Sequence, residues 1–468
     1  MKKYNTRRRR SLFSAHAGLI ALGLKIRQLK LLKPIEEKVK IKQKVVRYRP
    51  VEKLFDAFIA ILAGAKGLVE VNKRVLPDRA LQRAFGRDSC AEQSTIQDTL
   101  NASTEENVTQ MREALTEIYR KHSKGYSHNY RKRPLLLDVD MSGMPCGKKA
   151  ELASKGYFAN KRNRRGRQLG RVTATNYSEI VVDRLFDGKT QLTRSFEALV
   201  LEAEDVLELD EEKRKNTIIR TDAGGGTDDE INWALGRGYH LHTKMYSAKR
   251  AAKLCRSVRE WVKDTKVEGR EIGWITEPHP YLRSTVQVGI RARKANGQWS
   301  YHVIVSTLEP SQLRAFVRFP PGLESNKDLL AYVYFHDQRG GGVETSIKED
   351  HQGLGLTKRN KKRFLAQEMV VLLGSLAHNV VIWARDWLAE RHNPFLRLGI
   401  MRMVRDVFTM NGRVTLDERG RILKISLNRL DPWAKPLKEG LKVTVAGAVA
   451  RPSAATEPRV SLSVSRGS

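Results

Sequence analysis

The sequence predicts an α/β protein with a mixed β-sheet at its centre, and three features carry that prediction. Two short apolar stretches, LLLDVDMSG and TIIRTDAGGG, are typical of buried central strands, and we expect these strands to end at Asp140 and Asp222 respectively. Alternating apolar residues on both sides of Asn296-Gly297 indicate a β-hairpin. Helical periodicity precedes and follows these strands. The 468 residues are enough for a large domain with appendages or for two to three domains.

The net charge is strongly positive, +34, because 86 Lys and Arg residues stand against 52 Asp and Glu residues. An excess of this size indicates a polyanionic partner. Nucleic acid is favoured over an acidic membrane because no lipidation motif is visible. A protein that is merely soluble and positively charged is the alternative.

Cysteine usage and hydropathy narrow the class of protein further. Cys90, Cys146 and Cys255 show no CxxC spacing, which argues against a zinc site and a disulfide scaffold and favours a reducing compartment. The first residues, which are basic and then apolar, resemble an export signal. Export is disfavoured, because KIRQLK follows directly and no small-residue cleavage site is present. The run MVVLLGSLAHNVVIWA is too short for a membrane span and predicts a buried helix.

Two segments precede the first central strand. Residues 1–50 contain 16 Lys or Arg and only two acids, which predicts a basic arm that becomes ordered on a phosphate backbone, or else a solubilising tail. Residues 51–130 have the pattern of several helices, and we expect a helical DNA-binding region. The polar stretch at residues 93–98 would suit a helix-turn-helix reader of the major groove, although any small helical bundle has the same pattern.

The first part of the predicted catalytic core covers residues 131–245. Asp138 and Asp140 are two apart on one strand and so share a face, where two carboxylates are costly unless a cation or partner compensates them. One of the two aspartates could be a metal ligand, and the other could hold that ligand in position. Alternatively, either aspartate could cap the turn at the MSGMP bend. The next stretch, KGYFANKRNRRGRQLGR, predicts a basic loop on the path of a phosphate chain, or a solvated loop. Its candidate DNA-binding residues are Arg162, Arg164, Arg165 and Arg167.

The remaining elements of this part alternate between strand and helix. RVTATNYS and EIVVDRLFDG predict a hairpin paired with the first strand, and SFEALVLEAEDVLEL predicts a helix. After the strand that ends in Asp222 come the helix DDEINWALGRGY and the strand HLHTK. Three early strands and then strand, helix, strand resemble a ribonuclease-H-like mixed-sheet core. No Gly-Lys-Ser or Gly-Lys-Thr follows the glycines at 224–226, which excludes a Walker A loop.

Residues 246–325 form a predicted β-rich insertion, with a type I′ turn at Asn296-Gly297. Trp274, Trp299 and Tyr301 in this segment could stack on unpaired bases, but packing on a sheet face is favoured.

Residues 326–395 complete the predicted core. Here QRGGGVETSIKEDHQGLGL places Glu344 between Arg339 and Lys348, and its glycine run is expected to let the chain enter a helix sharply. A long apolar helix follows. Residues 396–468 predict a hairpin and a loose tail.

The motifs LDVDMSG, RTDAGGGTDDEINWALGRGY and YFHDQRGGGVETSIKE, in this order, resemble those of the DDE transposases of bacterial insertion sequences. The similarity is to the branch with a β-strand insertion between the second Asp and the Glu. It implies that Asp140, Asp222 and Glu344 are the catalytic and metal-binding acids. Asp140 is preferred because a hydroxyl residue often stands two places after the family's first acid, as Ser142 does here, and Asp138 is the alternative.

A Tyr-Arg-Glu-Lys signature surrounds the last acid in that family. Tyr334, Arg339 and Glu344 match it by residue type. His351 stands where the signature lysine would fall, so Lys348 is the substitute. The resemblance implies that Tyr334, Arg339 and Lys348 contact DNA.

The resemblance also implies a chemistry and a set of partners. Two Mg²⁺ or Mn²⁺ ions would be held by the carboxylates, since these are hard oxygen donors. We expect the protein to bind double-stranded DNA at the terminal inverted repeats of its own element, to cleave it and to join the 3′ ends to target DNA. We also expect a homodimer in the synaptic complex, no membrane, and a place with the nucleoid in the bacterial cytoplasm. The alternatives are a non-catalytic DNA-binding protein on the same fold and a plain metal-dependent nuclease.

Overall fold

The computed structural model describes residues 10–45, 47–158, 161–323, 325–446 and 461–465. The chain divides into two compact units. The sheet unit comprises Lys124–Pro145 and Leu152–Ser346. The helical unit comprises Met1–Ser123, Cys146–Glu151 and Ile347–Ser468.

Strands and helices are numbered here in chain order. The strands are β1 Arg10–Ser14, β2 Leu135–Pro145, β3 Ser154–Phe158, β4 Lys161–Ala174, β5 Glu179–Phe186, β6 Thr217–Thr221, β7 His240–Lys244, β8 Val262–Lys263, β9 Arg270–Trp274, β10 Val286–Arg293, β11 Trp299–Ser306, β12 Gly412–Leu416, β13 Ile422–Asn428 and β14 Ser461–Ser465. The helices are α1 Ala17–Gln28, α2 Lys33–Lys38, α3 Pro50–Leu62, α4 Val71–Arg74, α5 Arg79–Ala84, α6 Gln93–Asn101, α7 Glu105–His122, α8 Leu192–Leu207, α9 Glu211–Lys215, α10 Asp228–Gly236, α11 Ala248–Leu254, α12 Pro310–Arg314, α13 Lys327–Arg339, α14 Thr345–Gly353, α15 Phe364–Ala389, α16 Ile400–Arg402 and α17 Ala434–Ala446.

The sheet unit is built on a mixed sheet of ten strands in the order β3-β4-β2-β6-β7-β11-β10-β9-β8, with β5 paired to β4. β5, β4 and β2 are antiparallel neighbours, whereas β2, β6 and β7 run parallel. From β7 through β11, β10 and β9 to β8 every pairing is antiparallel. The strands of the predicted β-rich insertion therefore continue the same sheet.

The parallel centre of this sheet is buried on both faces, as parallel strands usually are. All five residues of β6 are buried, and so are residues 135–139 of β2. Helix α8 packs against β2, β4 and β5, while α13 packs against β9 and β11. The apolar side chains of α13 join a core cluster with those of the sheet, including Leu329, Tyr332 and Phe335 from the helix and Ile218, Val288 and Ile304 from the strands.

A continuous helix carries Glu344. It begins at Lys327 as α13, passes through a π-helical turn at Gly340–Glu344, and continues as α14. The expectation that the glycine run begins a helix is therefore wrong. The glycines lie inside the helix. They form a turn in which the backbone hydrogen bonds join residues five apart, whereas those of an α-helix join residues four apart.

The helical unit surrounds α15, which is almost wholly buried. Helices α3, α6, α7 and α17 all pack against α15. A four-stranded sheet in the order β1-β12-β13-β14 belongs to the same unit. Helix α15 is long and apolar enough to cross a membrane by length and composition alone, and 89% of its most apolar window is buried inside the protein.

Several predicted elements are confirmed. The β4–β5 hairpin pairs with β2, and helices α8, α10 and α15, strand β7 and the β12–β13 hairpin all form where their patterns indicated. The basic stretch between β2 and β5 is the main exception in the sheet unit. Most of it is not a loop, because residues 154–158 and 161–174 form the antiparallel strands β3 and β4.

The two ends of the chain also differ from expectation. Residues 10–38 are not an arm, since β1 pairs with β12 and α1 buries Ala17–Gly23, an apolar run long enough to fill a helix face despite the flanking charge. The C-terminal segment is not uniformly loose, because α17 buries Leu437 and Leu441 and β14 runs parallel to β13. Residues 1–9, 447–460 and 466–468 lie outside the described residues.

The β10–β11 hairpin is confirmed, but its turn is not type I′. That turn type needs positive φ at two successive residues, and here only Gly297 has one, at 79°. The amide of Gly297 donates to Lys294 O, and the amide of Lys294 donates to Gln298 O. This pattern is a turn closed by a glycine bulge.

Candidate active site

Asp140 and Asp222 are carried by neighbouring parallel strands. β2 and β6 stay in register up to the pair formed by Asp138 and Arg220, and each candidate acid lies two residues beyond that pair. Asp222 follows the end of β6 and begins a short 3₁₀ turn. The strand register therefore brings the two candidate acids to the same end of the parallel pair, where α/β proteins commonly bind ligands.

The carboxylate of Asp138, the alternative first acid, already accepts hydrogen bonds from neighbouring side chains. Its two carboxylate oxygens accept hydrogen bonds from Arg220 Nε at 2.7 Å and Nη2 at 2.8 Å, and Thr175 Oγ1 donates to it at 2.7 Å. The Asp138 and Arg220 side chains are 0% and 1% exposed. A carboxylate satisfied in this way is a poor candidate for a metal ligand. The geometry therefore favours Asp140 as the ligand and Asp138 as its support.

The same arginine also holds the helix that leads to Glu344. Arg220 Nη1 donates to the carbonyl oxygen of Phe335 at 2.6 Å, and the guanidinium carbon lies 4.6 Å from the centroid of the Phe335 ring. One buried guanidinium thus joins β2, β6 and α13. Each of these three elements leads to one of the candidate acids.

The π turn reduces the angle between Arg339 and Glu344 around the helix axis. They are five residues apart, a spacing that would rotate them by about 140° in a regular α-helix. A π turn bonds residue i to residue i+5 and so removes most of that rotation. The helix also approaches β2 closely here, since a Cβ built at Gly342 would lie 3.5 Å from Asp138 Oδ2.

Arg339 is a buried cation beside the first acid. It is 2% exposed, its Nη2 donates to Val139 O at 3.4 Å, and the same nitrogen lies 3.6 Å from Asp140 Oδ1. Its Nε is buried and has no hydrogen-bond partner among the described residues. A buried guanidinium with an unused donor is suited to hold an anion.

The charges of Asp222 and Glu344 both act on Asp140. Burial raises the pKa of Asp140 to about 6, Arg339 opposes that rise, and the charges of Asp222 and Glu344 add to it. Asp222 and Glu344 are exposed. Asp222 Oδ1 accepts a hydrogen bond from the Gly224 amide at 2.8 Å. Within the part of the chain that the structure describes, Glu344 accepts none, so two of the three carboxylates have free oxygens.

The residues fit a divalent cation by their chemistry. Carboxylates are the hard oxygen donors that Mg²⁺ and Mn²⁺ prefer, and a nearby cation would reverse the raised pKa of Asp140. As the side chains stand, no group of three or more His, Cys, Asp or Glu residues among those described is arranged to hold a metal ion. Asp140 Oδ1 instead accepts from the amide of Met141 at 2.9 Å.

Lys244 is a further charged residue at this edge, and the sequence reasoning missed it. It ends β7, the strand next to β6, with Thr221 and Thr243 in register just before Asp222 and Lys244. Lys244 is half-buried and forms no salt bridge with any described residue. Burial lowers the pKa of its ammonium group, and Asp337 and Asp222 partly restore it. A lysine at the end of the strand beside a candidate acid was the available signal.

The other predicted signature residues lie in different environments. Tyr334 is 2% exposed, and its hydroxyl donates to Asp264 Oδ1 at 2.9 Å, so it is not on the surface where DNA would bind. Lys348 is exposed on α14 and belongs to the helical unit.

The four predicted DNA-binding arginines of the basic stretch lie on β4. Arg162 and Arg164 are exposed, Arg165 is half-buried and donates to Ala153 O at 3.0 Å, and Arg167 is 1% exposed. Because Arg167 is buried, it is not available to a phosphate in this structure. The roles of the other three in DNA binding stay predictions.

The aromatic residues of the predicted insertion have protein partners. Trp299 has the guanidinium groups of Arg291 and Arg293 over its ring, at 4.7 Å and 5.6 Å. Trp274 is 40% exposed and meets Tyr332 edge-on at 5.7 Å. These contacts are consistent with packing, and base stacking stays an open alternative.

No protein-family model matches the chain, and no curated protein sequence matches it. Among solved structures, the chain is similar to a piggyBac transposase in a synaptic complex with hairpin DNA, determined by cryo-EM, with a TM-score of 0.44 and 11% sequence identity. The similarity covers 82% of this chain and 80% of that one. At that score and identity it does not assign the chain to a family.

Proposed function

We propose that this protein is a DDE-type transposase, which cleaves DNA and joins the resulting 3′ ends to a target with the help of divalent metal ions. Asp140, Asp222 and Glu344 are the proposed catalytic acids. The observation that carries the proposal is that Asp140 and Asp222 lie two residues beyond the last paired residues of neighbouring parallel strands, and that the charges of Asp222 and Glu344 both act on Asp140. Two of the three have free oxygens, and Arg339 lies beside the third.

The strand order supports the fold part of the proposal. Three antiparallel strands, β5, β4 and β2, are followed by the parallel strands β6 and β7 with α10 between them. This is the arrangement that we associate with a ribonuclease-H-like core. Asp140 and Asp222 each lie two residues beyond the last paired residues of the adjacent parallel strands β2 and β6.

The residues around the acids have separate proposed roles. Bound Mg²⁺ or Mn²⁺ would supply activation of the attacking hydroxyl and stabilisation of the leaving oxygen. Arg220 and Asp138 fix the relative positions of the elements that carry the acids. Arg339 and Lys244 provide positive charge for the scissile phosphate, because both are cations at this edge without a full set of partners.

DNA is the proposed partner because of the charge of the chain. A net charge of +34 favours binding to a phosphate backbone, and this binding should weaken steeply with salt. Recognition of terminal inverted repeats and synapsis by a homodimer belong to the proposal as consequences of the transposase chemistry.

Cleavage assays with purified protein test the proposal. We expect Mg²⁺-dependent cleavage of DNA that carries the ends of the element, and we expect Asp222→Asn to abolish it while end binding is retained. Asp229→Asn is the matched control, since Asp229 is an exposed aspartate at the start of α10. Retained cleavage by Asp222→Asn would contradict the assignment.

The two alternatives give different results in the same assay. A non-catalytic DNA-binding protein would bind equally well in EDTA and would never nick DNA. A plain nuclease would cleave without end preference and would not join 3′ ends to a target.

A further inference from the structure

The helical unit contains a large polar cleft that has no part in the proposed chemistry. Its volume is about 1010 Å³, and all of its lining belongs to the helical unit. The lining comes from β1, from residues 43–44, 47–48 and 53, from the segment between residues 76 and 95, and from the β12–β13 turn. This volume is at the upper end of the usual range for small-molecule sites, about 300–1,000 Å³.

The cleft is lined by seven Lys and Arg side chains and by four carboxylates. Two of the carboxylates are already neutralised, because Asp88 pairs with Arg83 and Asp417 pairs with Arg421. In contrast, most of the lining cations have no salt bridge with any residue in the described ranges, namely Arg10, Lys44, Arg47, Lys53, Arg79 and Arg419. Cations gathered around a concave space repel one another unless an anion lies between them.

Lys53 is the deepest of these cations. It is 4% exposed, and its Nζ donates to Gln43 Oε1 at 3.0 Å. The same oxygen accepts from Thr99 Oγ1 at 2.7 Å, so the amide that holds the ammonium group is itself held in place. The charge of Asp98 acts on this ammonium group, but the hydrogen bond to Gln43 goes to a neutral amide. Burying an ammonium group is costly, and an anionic ligand would offset part of that cost.

Hydrogen bonds hold the polar side chains of the cleft wall in place. The Tyr48 hydroxyl lies 3.0 Å from Ser89 Oγ and 3.1 Å from Cys90 O, which fixes both side chains in the cleft wall. The guanidinium of Arg47 lies 5.1 Å from the centroid of the Tyr48 ring. Ammonium and guanidinium donors around one space are groups that recognise phosphate oxygens.

We propose that this cleft is a binding site for clustered phosphate groups. The chemistry is shared by a nucleoside triphosphate and by the backbone of a nucleic acid strand. The lining of the cleft belongs to the helical unit, whereas the candidate acids all belong to the sheet unit. The proposal therefore does not depend on catalysis by Asp140, Asp222 and Glu344.

The test compares two lysines of one segment. Lys44 lines the cleft, whereas Lys42 is exposed nearby and does not. Full-length wild-type protein, Lys44→Ala and Lys42→Ala are titrated in EDTA with ATP, with inorganic tripolyphosphate and with a short fluorescent DNA duplex. Lys53→Met is a second variant, and circular dichroism verifies its fold.

We expect Lys44→Ala to weaken binding of at least one probe about tenfold, because a hydrogen bond between charged groups is lost. Lys42→Ala should bind like wild type. Weakening for ATP and tripolyphosphate would identify a small-molecule site. Weakening for DNA, with a salt-dependence slope reduced by about one, would identify a strand-binding site. If Lys44→Ala and Lys42→Ala are indistinguishable with every probe, the proposal is wrong.

Discussion

Arg220 donates two hydrogen bonds to Asp138, at 2.7 Å and 2.8 Å, and both side chains are shielded from solvent. This pair separates two aspartates that the sequence leaves equivalent. Asp138 and Asp140 share a strand face, but only Asp138 has a cation that fully satisfies it. The different environments of the two residues lead to opposite predictions for the same substitution.

Asp138→Asn should destabilise the sheet unit strongly. Removing one partner of a buried ion pair leaves the other charge uncompensated, which typically costs about 3–5 kcal/mol. The free energy of unfolding, measured by urea denaturation, tests this. Asp228→Asn is the control, because Asp228 pairs with Arg250 and both side chains are more than a third exposed. Exposed pairs contribute only about 0–1 kcal/mol. Equal effects of the two substitutions would contradict the role given to Arg220.

Asp140→Asn should not destabilise the protein in the absence of metal. Burial raises the pKa of Asp140 to about 6. Its ionised form is therefore less favourable in the folded state than in the unfolded state. The free-energy cost of ionising Asp140 in the folded protein is absent below the ordinary carboxyl pKa. It grows as the pH rises and levels off above pH 6. A shift of this size corresponds to about 3 kcal/mol at most.

The measurement is unfolding in EDTA at several pH values. Asp140→Asn should match wild type at low pH and should be more stable than wild type at pH 7. A variant that is less stable than wild type at pH 7 would contradict this view of Asp140.

The π turn leads us to expect opposite effects from a deletion and an insertion at Gly341. Deleting Gly341 should leave Arg339 and Glu344 four residues apart in a regular α-helix, which keeps them on one face. Inserting one glycine after Gly341 should rotate Glu344 away by about 100°. We expect Mg²⁺-dependent cleavage to survive the deletion and to be lost with the insertion, with both variants folded. The reverse result would show that the face shared by Arg339 and Glu344 is not what matters.

Lys244→Met should slow cleavage without loss of stability. The side chain adds positive charge beside Asp222 and has no salt bridge among the described residues to lose. Removing one preorganised charge of this kind typically costs roughly 100-fold in rate. Lys244→Arg should recover part of the rate, because it keeps the charge. If Lys244→Met cleaves at the wild-type rate, Lys244 has no part in the reaction.

The sequence was sufficient to locate the strands that carry the first two acids, since both begin as apolar runs. The predicted end of the first strand at Asp140 was wrong, because β2 stays paired with β4 as far as Pro145. The sequence could not decide between Asp138 and Asp140, because the deciding partner, Arg220, is distant in the chain. The π turn could not be predicted from the sequence either, since a glycine run normally indicates a break in a helix. The cleft around Lys53 could not be foreseen either, because separate segments line it and none has a recognisable motif.

Divalent metal binding tests the central claim most directly. Mn²⁺ bound to the full-length protein, with DNA present, can be counted by electron paramagnetic resonance titration. We expect two ions per chain for wild type, and fewer for Asp140→Asn, Asp222→Asn and Glu344→Gln, with Asp229→Asn unchanged. Identical Mn²⁺ binding by wild type and by a variant that lacks all three carboxylates would contradict the claim that these residues form a metal-dependent active site.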